Sequence, residues 1–325
     1  MASSKAELCG PCGQGIEKPK AVIWCYNCDE GLCLICSSHH KKNESTCNHK
    51  TIDIQTYKPP IFSIKTREQF NIDKMTRKID AKIEMNIGVT MSHMICLMDG
   101  RVVIVEWNDK IILFTPDSKL KKTFSLPRGA FSVTQINWDT IAVTYPDEKA
   151  IKIYNMEKEI ITKVITLDKI CWGLSFSNNC LAVGLKGGEI RVIDLEGNTL
   201  KSIQIQSKSH LQNLVYCNER IIYSDYDGKT VHCLGGSGKQ IWENKQDLAG
   251  PWGLCSDKYG SIIIADWKSN RIVVISNDGK DSKVLINKED GLGHTNCICL
   301  KQDESYGFMC DTLGNFLQKY NLSYE

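Results

Sequence analysis

The chain is marked first by what it lacks. Across 325 residues no apolar run approaches the roughly 18 residues that a membrane span needs. The opening Met-Ala-Ser-Ser-Lys-Ala-Glu has no apolar core of a secretory signal. The expectation is a soluble cytoplasmic protein with no membrane partner. Net charge is only +2, so no global excess announces nucleic acid or an acidic surface. No run of three or four heptads exists, which excludes a long coiled coil. Enzyme signatures are missing too. Gly235-Gly236-Ser237-Gly238 reads as a turn between strands, because no strand-to-helix context makes it a nucleophile elbow or a phosphate loop. His210, His232 and His294 have no cysteine or acidic partner at fixed spacing and read as surface or core residues.

Cysteine, by contrast, is plentiful. Seven of sixteen fall in the first 49 residues, as Cys9-x2-Cys12, Cys25-x2-Cys28, Cys33-x2-Cys36 and Cys47, with His39, His40 and His49 among them. A CxxC pair lets two thiolates grip one ion at about 2.3 Å each, and structural zinc takes four N or S ligands in a tetrahedron. Three pairs and two histidines supply eight ligands, which fills two structural zinc ions per chain and leaves no position for water. The segment has few apolar side chains (Val22, Ile23, Trp24, Leu32, Leu34, Ile35), so it needs such a staple to fold. Ala21 to Trp24 reads as a short strand and Asp29-Glu30-Gly31 as a turn, setting the second and third pairs on either side of a hairpin. Sequential sites and a cross-brace both satisfy chain reach. The other nine cysteines are scattered. Cys96, Cys171, Cys180, Cys233, Cys255 and Cys310 lie in or beside apolar runs, as free thiols in a reducing, intracellular compartment do.

The series Cys9-Gly-Pro-Cys12, Cys25-Tyr-Asn-Cys28-Asp-Glu-Gly-Leu-Cys33-Leu-Ile-Cys36, His39-His40 and Asn48-His49 resembles the B-box zinc finger of the tripartite-motif family. That resemblance implies a two-zinc cross-brace. One ion would take Cys9, Cys12, Cys33 and Cys36; the other would take Cys25, Cys28, His40 and His49, with His39 or Cys47 as substitutes. Members of that family usually carry a RING finger and a coiled coil, and this chain shows neither.

After a linker at 55–77, broken by Pro59-Pro60 and mixed in charge, the text becomes short β-type runs between Gly, Asn and Asp. The equivalent residues Phe114, Tyr154, Ile193, Leu234, Ile275 and Tyr320 are separated by 40, 39, 41, 41 and 45. Six repeats of three or four strands describe a six-bladed β-propeller over 78–325, after a finger at 1–54. The fold class expected is therefore mainly β. Ile79, Ala81, Ile83, Met85 and Ile87 alternate with polar residues, so this stretch is expected to be a strand that completes the last blade from outside. Asp266-Trp267-Lys268-Ser269-Asn270-Arg271-Ile272 and Gly100 to Val105 resemble the NHL-type repeats of some tripartite-motif proteins. The acids Glu106, Asp225, Asp266 and Asp311 are expected to bond to turn amides.

A further aligned set opens each repeat: Phe131, Trp172, Gln212 and Trp252, spaced 41, 40 and 40, with His93 and Asn296 near the equivalent places. These should ring one mouth of the propeller channel, as a partner-binding platform or as packing between blades. The functional expectation is a zinc-binding, non-enzymatic adaptor for protein partners. Its rivals are a part in ubiquitin transfer, with the B-box imitating a RING, and RNA binding through the propeller, for which Lys119, Lys121, Lys122 and Arg128 make a local basic cluster.

Overall fold

The computed structural model describes residues 9, 19–25, 30–42, 51–55, 70–107, 110–207, 209–301 and 306–324. The chain divides into two compact units, one over 1–67 with 137–139 and the other over 68–136 and 140–325.

In the first unit β1 (Ile23–Cys25) is the centre of a three-stranded sheet, flanked by β2 (Glu30–Leu32) and, after helix α1 (Leu34–Lys42), by β3 (Thr51–Asp53). Gly31 lies inside β2, opposite Trp24, so it is not the turn glycine expected from the sequence. Residues 26–29, Pro59 and Pro60 lie outside the described residues.

The second unit is a β-propeller of six four-stranded antiparallel sheets. The innermost strands of blades 1 to 6 are Met91–Cys96, Val133–Gln135, Cys171–Ser177, Leu214–Cys217, Pro251–Ser256 and Thr295–Leu300. Blades 1 to 5 run outward strand by strand in sequence order, as do the first three strands of blade 6. The second strands are buried almost throughout, as in Val102–Glu106 and Ile262–Asp266. Successive side chains of a strand point to opposite faces, and here both faces meet a neighbouring blade. Val103 and Val105 pack toward blade 2, while Val102 and Ile104 pack toward blade 6. That is why these strands read as unbroken apolar runs rather than as an alternation. Six apolar clusters result, one at each junction, and the one holding Met91, Ile104, Phe308 and Leu317 joins the last blade to the first.

The ring closes as the alternation implied. Strand β4 (Met75–Glu84) pairs antiparallel with the final strand Phe316–Tyr324 and completes blade 6 from outside. It begins earlier than the expected boundary at 78. Ile72 and Met75 are buried in the junction of blades 5 and 6, and the Arg77 side chain donates to the Leu285 carbonyl at 2.7 Å and pairs with Asp290. Met85 and Ile87 lie past its end, packed against the junction of blades 6 and 1.

Candidate functional site

In the first unit, α1 starts directly after Cys33, which puts Cys36 in its first turn. The sulfur atoms of Cys9, Cys33 and Cys36 lie within 4.8 Å of one another. Hydrogen bonding from the Cys36 backbone amide, then the neighbouring Cys9 and Cys36 thiols, lowers the Cys33 thiol from 9.0 to about 7 against the opposing pull of burial. Bonds of about 2.3 Å to a tetrahedral zinc would set sulfurs about 3.8 Å apart, so this donor set fits the ion. The grouping joins the first pair to the third. Cys12, Cys28, Cys47 and His49 lie outside the described residues. Of the second expected set, Cys25 is buried at the end of β1, and His40 is half-buried on α1 beside exposed His39.

In the propeller, the residues that open each inner strand form a belt that runs once around the axis. Ser92 Oγ donates to the Phe131 carbonyl, Thr144 Oγ1 to that of Trp172 and Ser224 Oγ to that of Trp252, each at 2.7 Å. The Gly173 amide donates to the Leu211 carbonyl at 2.9 Å, beside Gln212. Asn296 Nδ2 donates to the Met91 carbonyl at 2.7 Å, which joins blade 6 to blade 1. Blades 5 and 6 meet by close approach: a Cβ on Gly253 would stand 2.2 Å from the Asn296 carbonyl oxygen. One on Gly173 would stand 2.8 Å from the carbonyls of Leu211 and Gln212. The two Trp-Gly pairs are thus explained at their second residue, where the backbone of the next blade leaves no room for a side chain.

The expected ring members differ in accessibility. Phe131 is 2% exposed and serves as packing, while Trp172, Gln212 and Trp252 are half-buried. His93 lies at the same level in blade 1; burial pushes its pKa down to about 4 and the Val133 amide donates to Nδ1 at 3.4 Å, so the ring is neutral.

Around this belt stands an aromatic crown that the spacing did not reveal. Trp107 meets Phe131 edge to face at 5.2 Å, Phe131 meets Trp172 at 5.2 Å, and Trp172 stacks on His210 at 5.1 Å. A second arc runs from Trp252 to Tyr226 at 5.3 Å, on to Trp267 at 6.1 Å and to His294 at 5.7 Å. His210 and His294 are exposed, and each contacts an indole. The nitrogen of Trp267 donates to Thr312 Oγ1 at 2.8 Å, whereas those of Trp172 and Trp252 are buried without a hydrogen-bond partner among the described residues. Trp107, Tyr226 and Trp267 each follow one of the strand-end acids. Three of those acids fix the backbone that carries the crown. Asp225 accepts from the Gly228 amide at 3.0 Å, Asp311 from that of Asn315 at 2.7 Å, and Asp266 from the Gly250 amide at 2.6 Å. A signal was therefore present: the residue after the acid.

His232, by contrast, is buried on Tyr223, with its pKa lowered by desolvation, and Gly235 to Gly238 form the expected turn.

A family model for the NHL repeat matches residues 248–275, the stretch holding Trp252, Asp266 and Trp267. No curated protein matches the sequence. Among solved structures the chain is similar to a streptogramin B lyase, at 13% identity and a TM-score of 0.59, over 76% of this chain and 98% of that one. It is similar to a catalytically inactive virginiamycin B lyase from Staphylococcus aureus with quinupristin, at 15% identity and a TM-score of 0.57, over 75% of this chain and 99% of that one. A Bacteroides thetaiotaomicron protein of unknown function gives 10% identity and a TM-score of 0.59, over 77% and 76% of the two chains. At these identities the likeness shows the fold alone: the chain is a β-propeller protein carrying an NHL repeat.

Proposed function

We propose that this protein is a non-enzymatic adaptor that captures protein partners on the aromatic end of its propeller, with a two-zinc B-box-type finger as a second recognition module. The observation that carries the reading is the concentration of four of the seven tryptophans (Trp107, Trp172, Trp252, Trp267) at one end of one ring. Aromatic side chains dominate the binding energy of protein interfaces because they bury large area at small entropic cost.

The grouping of Cys9, Cys33 and Cys36 supports a first zinc completed by Cys12. Cys25, Cys28, His40 and His49 are proposed for the second, with His39 or Cys47 as substitutes. Thirteen described cysteines are outside any disulfide, which suits a reducing, intracellular setting. RNA binding has weaker support. In the basic cluster of blade 1, Lys119 pairs with Asp117 and Lys122 with Glu159.

Capture from cell extract by the full chain tests the first half. Trp107→Ala with His210→Ala, both exposed, should lose specific partners while melting as the wild type does. An unchanged captured set would overturn the reading. Native mass spectrometry tests the second half: two zinc ions per chain, lost on mild acidification, are expected. No zinc, with mass deficits matching disulfides, would overturn the finger.

A further inference from the structure

Beside the crown, the hairpins of four blades carry an excess of positive charge. In four successive blades the hairpin joining the second strand to the third carries one exposed lysine: Lys149, Lys186, Lys229 and Lys268. None has an ion pair among the described residues. Much of the acid at the same end is already engaged. Glu148 is held by Lys152 at 2.7 Å, Asp168 by Arg191 at 2.6 Å and Asp247 by Arg271 at 2.7 Å. In those four hairpins only Asp147 and Asp227 stand without an ion-pair partner among the described residues, against the four lysines. Beside these stand apolar surfaces open to solvent, Trp107 at 42% exposed and Leu313, on the blade 6 hairpin, at 49%.

We infer that the aromatic end of the propeller binds an acidic peptide segment, in which Asp or Glu alternates with aromatic or large aliphatic side chains. The carboxylates answer the four lysines, and the apolar side chains cover Trp107 and Leu313. This inference rests on the reading of that end as a capture surface and adds the chemistry of what is captured. A peptide fits better than a nucleic acid. Phe131 is buried, Trp172 is stacked on His210 and Trp252 meets Tyr226 edge to face, which leaves little open ring surface for bases to stack upon. Four lysines against two acids also make a modest field for a polyphosphate chain.

Fluorescence anisotropy with the full-length protein is the test. The probes are labelled short peptides of alternating Glu and Tyr, alternating Lys and Tyr, or alternating Gln and Tyr, and an oligouridylate of similar charge. The Glu-Tyr peptide alone should bind, with affinity falling as salt rises. Combining Lys149→Gln, Lys186→Gln, Lys229→Gln and Lys268→Gln should weaken it about tenfold. Leu313→Ser, which removes exposed apolar surface, should weaken it about threefold at an unchanged melting temperature. Equal binding of the Glu-Tyr and Gln-Tyr peptides, or tighter binding of the oligouridylate, would overturn the inference. If no peptide binds but extract capture still depends on Trp107 and His210, the capture surface stands and the acidic class falls.

Discussion

The two units of this chain solve the problem of a small core in opposite ways. The propeller distributes apolar surface over six junctions, each sealed by strands buried on both faces. The first unit has one three-stranded sheet, a nine-residue helix with Leu34 and Ile35 turned to solvent, and three thiols drawn together. Repetition lets a fold of ordinary composition hold itself by burial. The segment with few apolar residues is proposed to hold instead by coordination. The same residue type shows the divide. Cys33 has its thiol lowered to about 7, chiefly by the Cys36 amide, while burial pushes that of Cys171 up to about 11 and that of Cys233 to about 12. Low values suit a metal ligand and high ones suit packing.

The largest expected effect breaks the finger and spares the propeller. Cys33→Ser should forfeit zinc-linked folding energy on the order of 10 kcal/mol, so residues 1–54 become protease-sensitive while the propeller transition stays put. A single shared transition that shifts as a whole would erase the distinction between the units. The reverse experiment is Gly253→Ala, whose Cβ would meet the Asn296 carbonyl oxygen at 2.2 Å. It should cost the propeller about 3 kcal/mol in urea denaturation and leave zinc content unchanged.

Two further predictions sharpen how the ring handles charge. Burial raises the Glu189 carboxyl, but bonds from Arg191, Lys169 and Ser202 outweigh this and leave it at about 2. A carboxyl lowered in the folded state stabilises above its unfolded value, and that stability is lost as pH falls toward 2. Glu189→Gln should therefore cost about 2 kcal/mol at neutral pH, with the gap to wild type narrowing under acid titration. Asp257 has the opposite sign. Burial raises its carboxyl, while Oδ1 accepts from the amides of Tyr259 and Ser261 and Oδ2 has no hydrogen-bond partner among the described residues. Its contribution is complete below the unfolded value and lost as pH rises through the folded one. Asp257→Asn keeps the Oδ1 acceptor and should stabilise by about 1 kcal/mol at neutral pH, with no gain below the unfolded value. A gain that is independent of pH would refute the assignment.

The architecture was legible in the sequence because each junction demands apolar residues on both faces of a middle strand, so a repeat near 40 residues stands out. The closing strand was legible for the opposite reason: one of its faces meets solvent, and β4 alternates. Its true start was not, since Ile72 sits in a short 3-10 turn and Arg77 anchors through backbone and ion-pair contacts that leave no period. The inner ring was found from spacing, but its outer companions were not. Trp107, Tyr226 and Trp267 occupy hairpin positions where blades 2, 3 and 6 carry Pro146, Lys186 and Thr312, and a pattern kept in half the repeats does not register as one. The Trp-Gly pairs drew notice for their rings. The contact geometry puts the steric demand on the glycines.

Ring closure also sets a clock. Glu84 and Phe316 are register partners 232 positions apart. At roughly 10 residues per second of synthesis, β4 waits on the order of 20 seconds for the strand it must pair with. Through that interval it is an open sheet edge, the kind that recruits strands from other chains. Lys78, Asp80, Lys82 and Glu84 lie on its exposed side, and charge in those places discourages a wrong partner before the right one exists. The strand that finishes the ring is thus built to tolerate being the first made and the last used.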